Sequence, residues 1–322
     1  DYGDDHFTCF QFDYDWRLDN VENAKRLNAF IEEKRAYILE EYERRGHPKE
    51  DVKFDIVAHS MGGLLTRYLL RYGPNDLPED GSVPEVTWEG AEHIDKVVII
   101  GTPNAGAVGA VENLFVGRDF GPFLPKYEPA VIGTMPSLYQ QLPRTRHRAI
   151  LDENRNPVDI MNADLWVENG WGLADPNQAY VLEWLLPDVS DPNERREIAI
   201  DHLRKSIKRG KQFQAAIDQP ATPPNSLRLY LLAGDAIPTG SGVTINSTKE
   251  HFEVTDYEPG DGTVARYSAL MDERMGQHWT PHLKSPIKWS NVLFLFSDHL
   301  GLTKDPAFSD NVLYILLEQP VN

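Results

Sequence analysis

One serine, one histidine and one of two aspartates have the types and the chain order needed for acyl transfer. Ser60 lies in Ala58-His59-Ser60-Met61-Gly62-Gly63, directly after the mostly apolar run Phe54-Asp55-Ile56-Val57. A serine hydroxyl is a weak nucleophile at its free pKa, so it must be held clear of its own backbone, beside a general base and near aimed N–H donors. A sharp strand-to-helix turn provides all three. The turn crowds the backbone; the small Ala58 and Gly62 leave room for it, and Gly63 eases close packing of the helix. Ala58 stands where the usual G-x-S-x-G pattern has its first glycine, keeping the small size but not the freedom of φ. The plainer alternative is an ordinary strand–helix junction that happens to contain a serine.

In folds built on such a turn the partners follow in the order serine, acid, histidine, with the histidine in the loop after the last strand. His299, in Phe296-Ser297-Asp298-His299-Leu300-Gly301, occupies that place. His59 is read as packing or bonding within the turn, not as the base. His278 and His282 have a metal-like i,i+4 spacing, but Pro281 between them opposes a regular helix that presents both, so no metal site is expected. Two carboxylates compete for the acid. Asp235 directly follows the apolar run 227–232, the common location; Asp261, in Gly260-Asp261-Gly262-Thr263-Val264, has the tight loop whose N–H groups can hold a carboxylate ionised. Either could be a plain turn aspartate.

The elements that must position these residues read as alternating strand and helix. Phe7 to Phe12 alternates in aromatic fashion and predicts a strand. Asp19 and Asn20, with Glu22 at capping-box spacing from Asp19, begin a helix carrying Val21, Ala24, Leu27, Phe30, Ile31, Ile38 and Tyr42 on one broad face, ended at Gly46-His47-Pro48. After the serine, Leu64, Leu65, Tyr68, Leu69 and Tyr72 mark one helical face before Gly73-Pro74 stops it. Lys96 to Ile100, Leu227 to Leu232 and Asn291 to Phe296 read as strands, the first of them fully apolar after its lysine. This order predicts a doubly wound, mostly parallel α/β sheet.

Between about Asn104 and Asn225 the strand rhythm stops, and the segment reads as an inserted cap over the sheet. Asp191-Pro192 starts a long helix there, and Asp305-Pro306 starts the last one of the chain. Trp166, Trp171 and Trp184 are candidates to line a substrate pocket, with core packing as the alternative. Arg144, Arg146, His147 and Arg148 form a basic cluster, read as a solvated charged face with a phosphate contact as the alternative.

Composition sets the limits. At 322 residues and 41% hydrophobic content the chain can bury a large core. A net charge of −18 would repel nucleic acid and strongly anionic lipid surfaces, which argues against a polyanion-binding role; the plainer reading is a soluble acidic surface. No apolar run reaches the ~18 residues that span a bilayer, so no transmembrane segment is expected, and transient contact with a lipid surface stays open. A single cysteine, Cys9, excludes an internal disulfide framework. No signal peptide precedes the first strand, which favours a soluble, cytoplasmic protein while the compartment stays open. The loop that usually donates one oxyanion N–H after the third strand is not visible, so the N-terminal strands of the sheet are expected to be absent from this chain.

Taken together, Asp13-Tyr14-Asp15-Trp16-Arg17, the Ser60 turn, Gly101-Thr102-Pro103, Pro136-Ser137 through Leu142-Pro143, Ile237-Pro238-Thr239, Gly260-Asp261-Gly262-Thr263-Val264 and the His299 loop resemble the lecithin:cholesterol acyltransferase family, which includes phospholipid:diacylglycerol acyltransferases and related phospholipases. The resemblance covers nearly the whole chain. It implies an α/β-hydrolase fold, with core segments 1–103 and 226–322 and a cap at 104–225. It carries the nucleophile onto Ser60, the acid onto Asp261 in preference to Asp235, the base onto His299 and one oxyanion donor onto the Met61 N–H. The implied activity is a serine esterase, lipase or phospholipase acting on acyl esters without a cofactor. The alternatives are an acyltransferase using an alcohol acceptor, or a non-catalytic lipid-binding module on the same scaffold. The disulfide-closed lid of the family's secreted animal members cannot exist with one cysteine, so substrate does not carry over.

Overall fold

The computed structural model describes residues 9–119, 121, 123–245, 252–275 and 280–319. Its central sheet consists of β1 (Phe54–His59), β2 (Ile94–Ile100), β4 (Arg228–Gly234) and β7 (Asn291–Leu295), in the order β1-β2-β4-β7 and parallel throughout. A second sheet joins β3 (Ile150–Asp152), β5 (Ile237–Ile245) and β6 (Phe252–Gly260) in the order β3-β5-β6. The helices in chain order are α1 (Asn20–Arg44), α2 (Gly62–Tyr72), α3 (Val108–Val116), α4 (Pro129–Ile132), α5 (Pro136–Gln140), α6 (Ala163–Asn169), α7 (Ala179–Leu185), α8 (Pro192–Asp218), α9 (Arg266–Leu270) and α10 (Pro306–Leu313).

Strand β2 shows why the sheet is wound on both faces. Val97 and Ile99 point into one core with α1 and α2, whereas Val98 and Ile100 point into another with Phe308, Val312 and Ile315 of the C-terminal helical segment. A strand buried on both faces needs an unbroken apolar run, which 97–100 supplies. Lys96 falls on the second face, and its buried Nζ donates to the carbonyls of Ile315 (2.7 Å) and Leu316 (3.1 Å), a cation satisfying late helical acceptors.

Four sequence expectations change. Phe7 and Thr8 lie outside the described residues, and 9–12 form no strand; Phe10 and Phe12 instead pack on Phe30 of α1, at centroid distances of 6.4 and 5.3 Å. The one-faced reading of α2 is too narrow, because all eleven residues are buried: Arg67 donates to the Ile217 carbonyl (2.7 Å) and Arg71 to that of Gln219 (2.6 Å), so the end of α8 covers the polar side. The basic cluster is only half a solvated face: Arg146 and Arg148 are exposed, but Arg144 and His147 are buried. Arg144 is 2% exposed and meets Asp218, and Arg146 bridges Asp218 and Glu273, both at 2.8 Å. Hairpin β5–β6 escaped the strand reading because Pro238, Gly240 and Gly242 break its apolar pattern and its register shifts around Gly240 and Gly242.

The helices of 108–207 share one core, centred on Leu114, Tyr139, Trp166 and Leu203, and this core also takes in Val243, Ile245, Phe252 and Val254 of the hairpin. The hairpin therefore packs with these helices at one end and delivers Asp261 to the sheet at the other. As expected, prolines follow capping aspartates at both later helix starts: Asp191 accepts from Asn193 N (2.9 Å) and Asp305 from Ala307 N (2.8 Å).

Candidate active site

Ser60 sits between the end of β1 and the start of α2 with φ of 54°, a left-handed conformation that a non-glycine residue adopts only under constraint from its surroundings. That constraint is visible atom by atom. Ser60 N donates to the Ile100 carbonyl (2.8 Å), and Thr102 Oγ1 donates to the Ser60 carbonyl (2.7 Å), so the β2 end grips the turn on both backbone groups. The grip needs glycine at 63, since a Cβ there would stand 2.1 Å from Thr102 Oγ1. Met61 follows as the N-cap of α2, and its N–H lies at a helix end where such donors have no intrahelical partner.

His299 arrives from the loop after β7. Its Nε2 is 2.9 Å from Ser60 Oγ and its Nδ1 is 2.7 Å from Asp261 Oδ2. A carboxylate only accepts, so Nδ1 carries the proton and Nε2 is left bare to accept from the Ser60 hydroxyl. Asp261 is 2% exposed, and its other oxygen accepts from Thr263 N (2.9 Å) and Val264 N (2.7 Å). The same residue's carbonyl accepts from His299 N (2.8 Å). Gly262 N in turn donates to Thr239 Oγ1 (2.8 Å), tying the acid's loop to β5. Gly101, with φ of +52°, lies beneath the pair: a Cβ there would come within 3.1 Å of Asp261 Oδ2 and 3.3 Å of His299 Nδ1.

The other candidates fall elsewhere. Asp235, the rival acid, pairs with Arg266 (3.3 Å), whose guanidinium also stacks over Phe294. Trp166, Trp171 and Trp184 do not gather around one space. Trp166 is fully buried with its indole N–H bonded to the Ile160 carbonyl (2.9 Å), Trp171 packs beside it, and Trp184 is 69% exposed against Tyr180. Trp166 and Trp171 thus serve the helical core of residues 108–207. His278 lies outside the described residues, and among those described no group of three or more His, Cys, Asp or Glu is placed to hold a metal ion. Tyr14 was quoted only as part of a motif; its hydroxyl stands 3.6 Å from where a Gly62 Cβ would be, and burial pushes its phenol up to about 12. Thr102 and Gly101 likewise had no role assigned from sequence, although both lie in the quoted Gly101-Thr102-Pro103.

The family model for lecithin:cholesterol acyltransferase matches residues 4–167, just over half of the chain. The chain belongs to the lecithin:cholesterol acyltransferase family. That span includes Ser60 and Met61, while Asp261 and His299 lie beyond it and are brought in by the fold. No curated protein matches the sequence. Among solved structures the chain is similar to one in the crystal structure of a Tle4–Tli4 complex, with 15% identity and a TM-score of 0.57, over 93% of this chain and 66% of that one. Lipase 1 from Pelosinus fermentans matches with 13% identity and a TM-score of 0.38, over 84% of this chain and 72% of that one. The fold is that of the α/β-hydrolases. Among the described residues no helix is long and apolar enough to cross a membrane.

Proposed function

We propose that the protein is a serine enzyme acting on acyl esters, with Ser60 as nucleophile, His299 as general base and then acid, and Asp261 as the carboxylate that orients His299. The observation that carries this reading is the unbroken chain from Ser60 Oγ through His299 to Asp261, at 2.9 and 2.7 Å, ending on a strained strand–helix turn. His299 Nε2 takes the hydroxyl proton as Ser60 Oγ attacks the ester carbonyl carbon, and the carbonyl oxygen becomes an oxyanion facing the Met61 N–H. Asp261 stabilises the imidazolium without taking its proton. The tetrahedral species collapses as the ester C–O bond breaks, and the leaving alkoxide takes the proton from Nε2. The acyl group is now on Ser60. Water, deprotonated by His299 in the same way, then attacks the acyl carbon and releases the acid and free Ser60.

A second reading, in which an alcohol replaces that water, is favoured by the family match, whose namesake is an acyltransferase. The first half-reaction is the same in both. A lipid ester is the substrate class that the family supports. Turnover of p-nitrophenyl esters of graded chain length, with and without a long-chain alcohol, tests both readings. Parent activity that Ser60→Ala lowers at least about a thousandfold supports the serine mechanism; equal activity in the two proteins overturns it. Transfer of the acyl group to the added alcohol would identify the acyltransferase.

A further inference from the structure

The residue before the serine is also a histidine, and it meets the proposed base. His59 closes β1, and its ring lies 4.8 Å from the His299 ring at a tilt of 39°. Its Nε2 is 3.0 Å from the backbone carbonyl oxygen of His299. A carbonyl can only accept, so Nε2 of His59 must carry a proton and donate. That nitrogen is therefore committed to the backbone and is not free to take a proton from Ser60.

The consequence for His299 follows from how its loop is held. Its N–H is tied to the Asp261 carbonyl (2.8 Å) and its C=O to His59, so both backbone groups of the residue are fixed by the two sides of the site. Of the loop's apolar side chains, Phe296 is 86% and Leu300 is 70% exposed, while Leu302, three residues beyond His299, is buried against the sheet and anchors the far end of the loop. Side-chain aim depends on backbone placement, and an error of about 1 Å at reacting atoms can cost ~100-fold in rate.

We infer that His59 is a positioning residue for acyl transfer: by donating Nε2–H to the His299 carbonyl it locks the base to the residue adjacent to the nucleophile. This rests on the serine-enzyme reading above. The covalent link between residues 59 and 60 makes the clamp self-aligning, because any shift of the turn that moves Ser60 moves the donor holding His299 with it. The charge state suits the task. Burial first, and then the neighbouring His299, hold the His59 imidazole below its ordinary value against the opposing pull of its carbonyl bond and Asp261. At neutral pH it is uncharged and does not oppose the imidazolium that forms on His299.

The test compares His59→Leu, which keeps bulk but removes the donor, with His59→Gln, whose amide nitrogen reaches to the place of Nε2. Steady-state kinetics with a p-nitrophenyl ester are measured beside thermal midpoints and the low-field proton resonance of the His299 Nδ1–H shared with Asp261. The expected result is a kcat lowered about 10- to 100-fold in His59→Leu with KM within about twofold, and kcat within about threefold of the parent in His59→Gln. The low-field resonance should broaden by exchange in the leucine variant and persist in the glutamine variant. Unchanged kcat in His59→Leu, equal impairment of both variants, or a lowered midpoint with kcat intact would each overturn the inference. If the parent turns over no ester, the enzyme reading fails, while the resonance still decides whether His59 positions His299: unchanged in His59→Leu, it overturns the clamp.

Discussion

The Nδ1 of His299 stands 2.7 Å from Oδ2 of Asp261, a carboxylate whose other oxygen is already held by two backbone N–H groups. Such a carboxylate has one oxygen left for the imidazole and one direction in which to hold it. Asp261→Asn keeps the shape but replaces the acceptor with an amide that can turn a donor toward Nδ1, favouring the wrong tautomer. The expected loss in kcat is ~10,000-fold, in line with the same exchange in serine proteases. Asp235→Asn, which disturbs only a half-exposed pair with Arg266, is expected to stay within about threefold of the parent. Ester kinetics on the two variants distinguish the candidates.

Gly63→Ala tests the turn itself. The added methyl meets Thr102 Oγ1, Cγ2 and Cβ together, at 2.1, 2.8 and 2.9 Å, so it must push aside the residue that holds the Ser60 carbonyl. Overpacking of this kind costs about 1–3 kcal/mol, and thermal denaturation should register it. Because the displaced contact belongs to the nucleophile's own backbone, kcat should fall as well, with the global fold retained by circular dichroism.

Asp218 anchors the end of α8 between three arginines: Arg144 (3.0 Å), Arg146 (2.8 Å) and, at 3.9 Å, Arg67 of α2. Removing the charge in Asp218→Asn leaves buried guanidinium groups without their counter-ion. The expected destabilisation is ~3–5 kcal/mol, measurable as a lowered denaturant midpoint.

The neighbouring Glu273 makes this region sensitive to acid. Burial alone would raise its carboxyl, but His147 and Arg146 beside it outweigh burial and hold it down to about 2. Burial likewise opposes ionisation of Asp218, and Arg144 and the other guanidinium groups overcome it. A carboxylate with a depressed folded-state pKa contributes stability above its unfolded value, roughly 4, and loses it as pH falls through the folded value. Denaturant midpoints should therefore hold above about pH 5 and fall progressively from pH 4 toward 2. Glu273→Gln should be less stable than the parent at pH 7 and show a shallower fall across that window.

Much of the central sheet was legible because its strands are written locally. Runs such as Val97-Val98-Ile99-Ile100 announce burial on both faces, and the serine turn is encoded in six consecutive residues. The choice of acid was not local. Asp235 has the expected place after its strand, yet Asp261 reaches His299 because the β5–β6 hairpin runs from the helical core of 108–207 back to the sheet, a path hidden by Pro238, Gly240 and Gly242. The family resemblance, not the spacing, pointed to it. The clamp from His59 to His299 joins residues 240 apart and carries no periodic signal at all. The burial of Arg144 was misread for the opposite reason: a run of basic side chains looks solvated until the partners, Asp218 and Glu273, are found on distant elements. Trp166 shows the same limit, since its size fits a pocket or a core equally well and only its buried, bonded indole decides.

The central claim is that Ser60 is a nucleophile activated by His299. Intact-mass spectrometry after incubation with a fluorophosphonate, followed by peptide mapping, tests it without any assumption about the natural ester. A single adduct on the peptide containing Ser60, absent in Ser60→Ala and formed at least about a hundredfold more slowly in His299→Ala, is the predicted result. An unmodified parent protein, or an adduct at another residue that persists in Ser60→Ala, would contradict it.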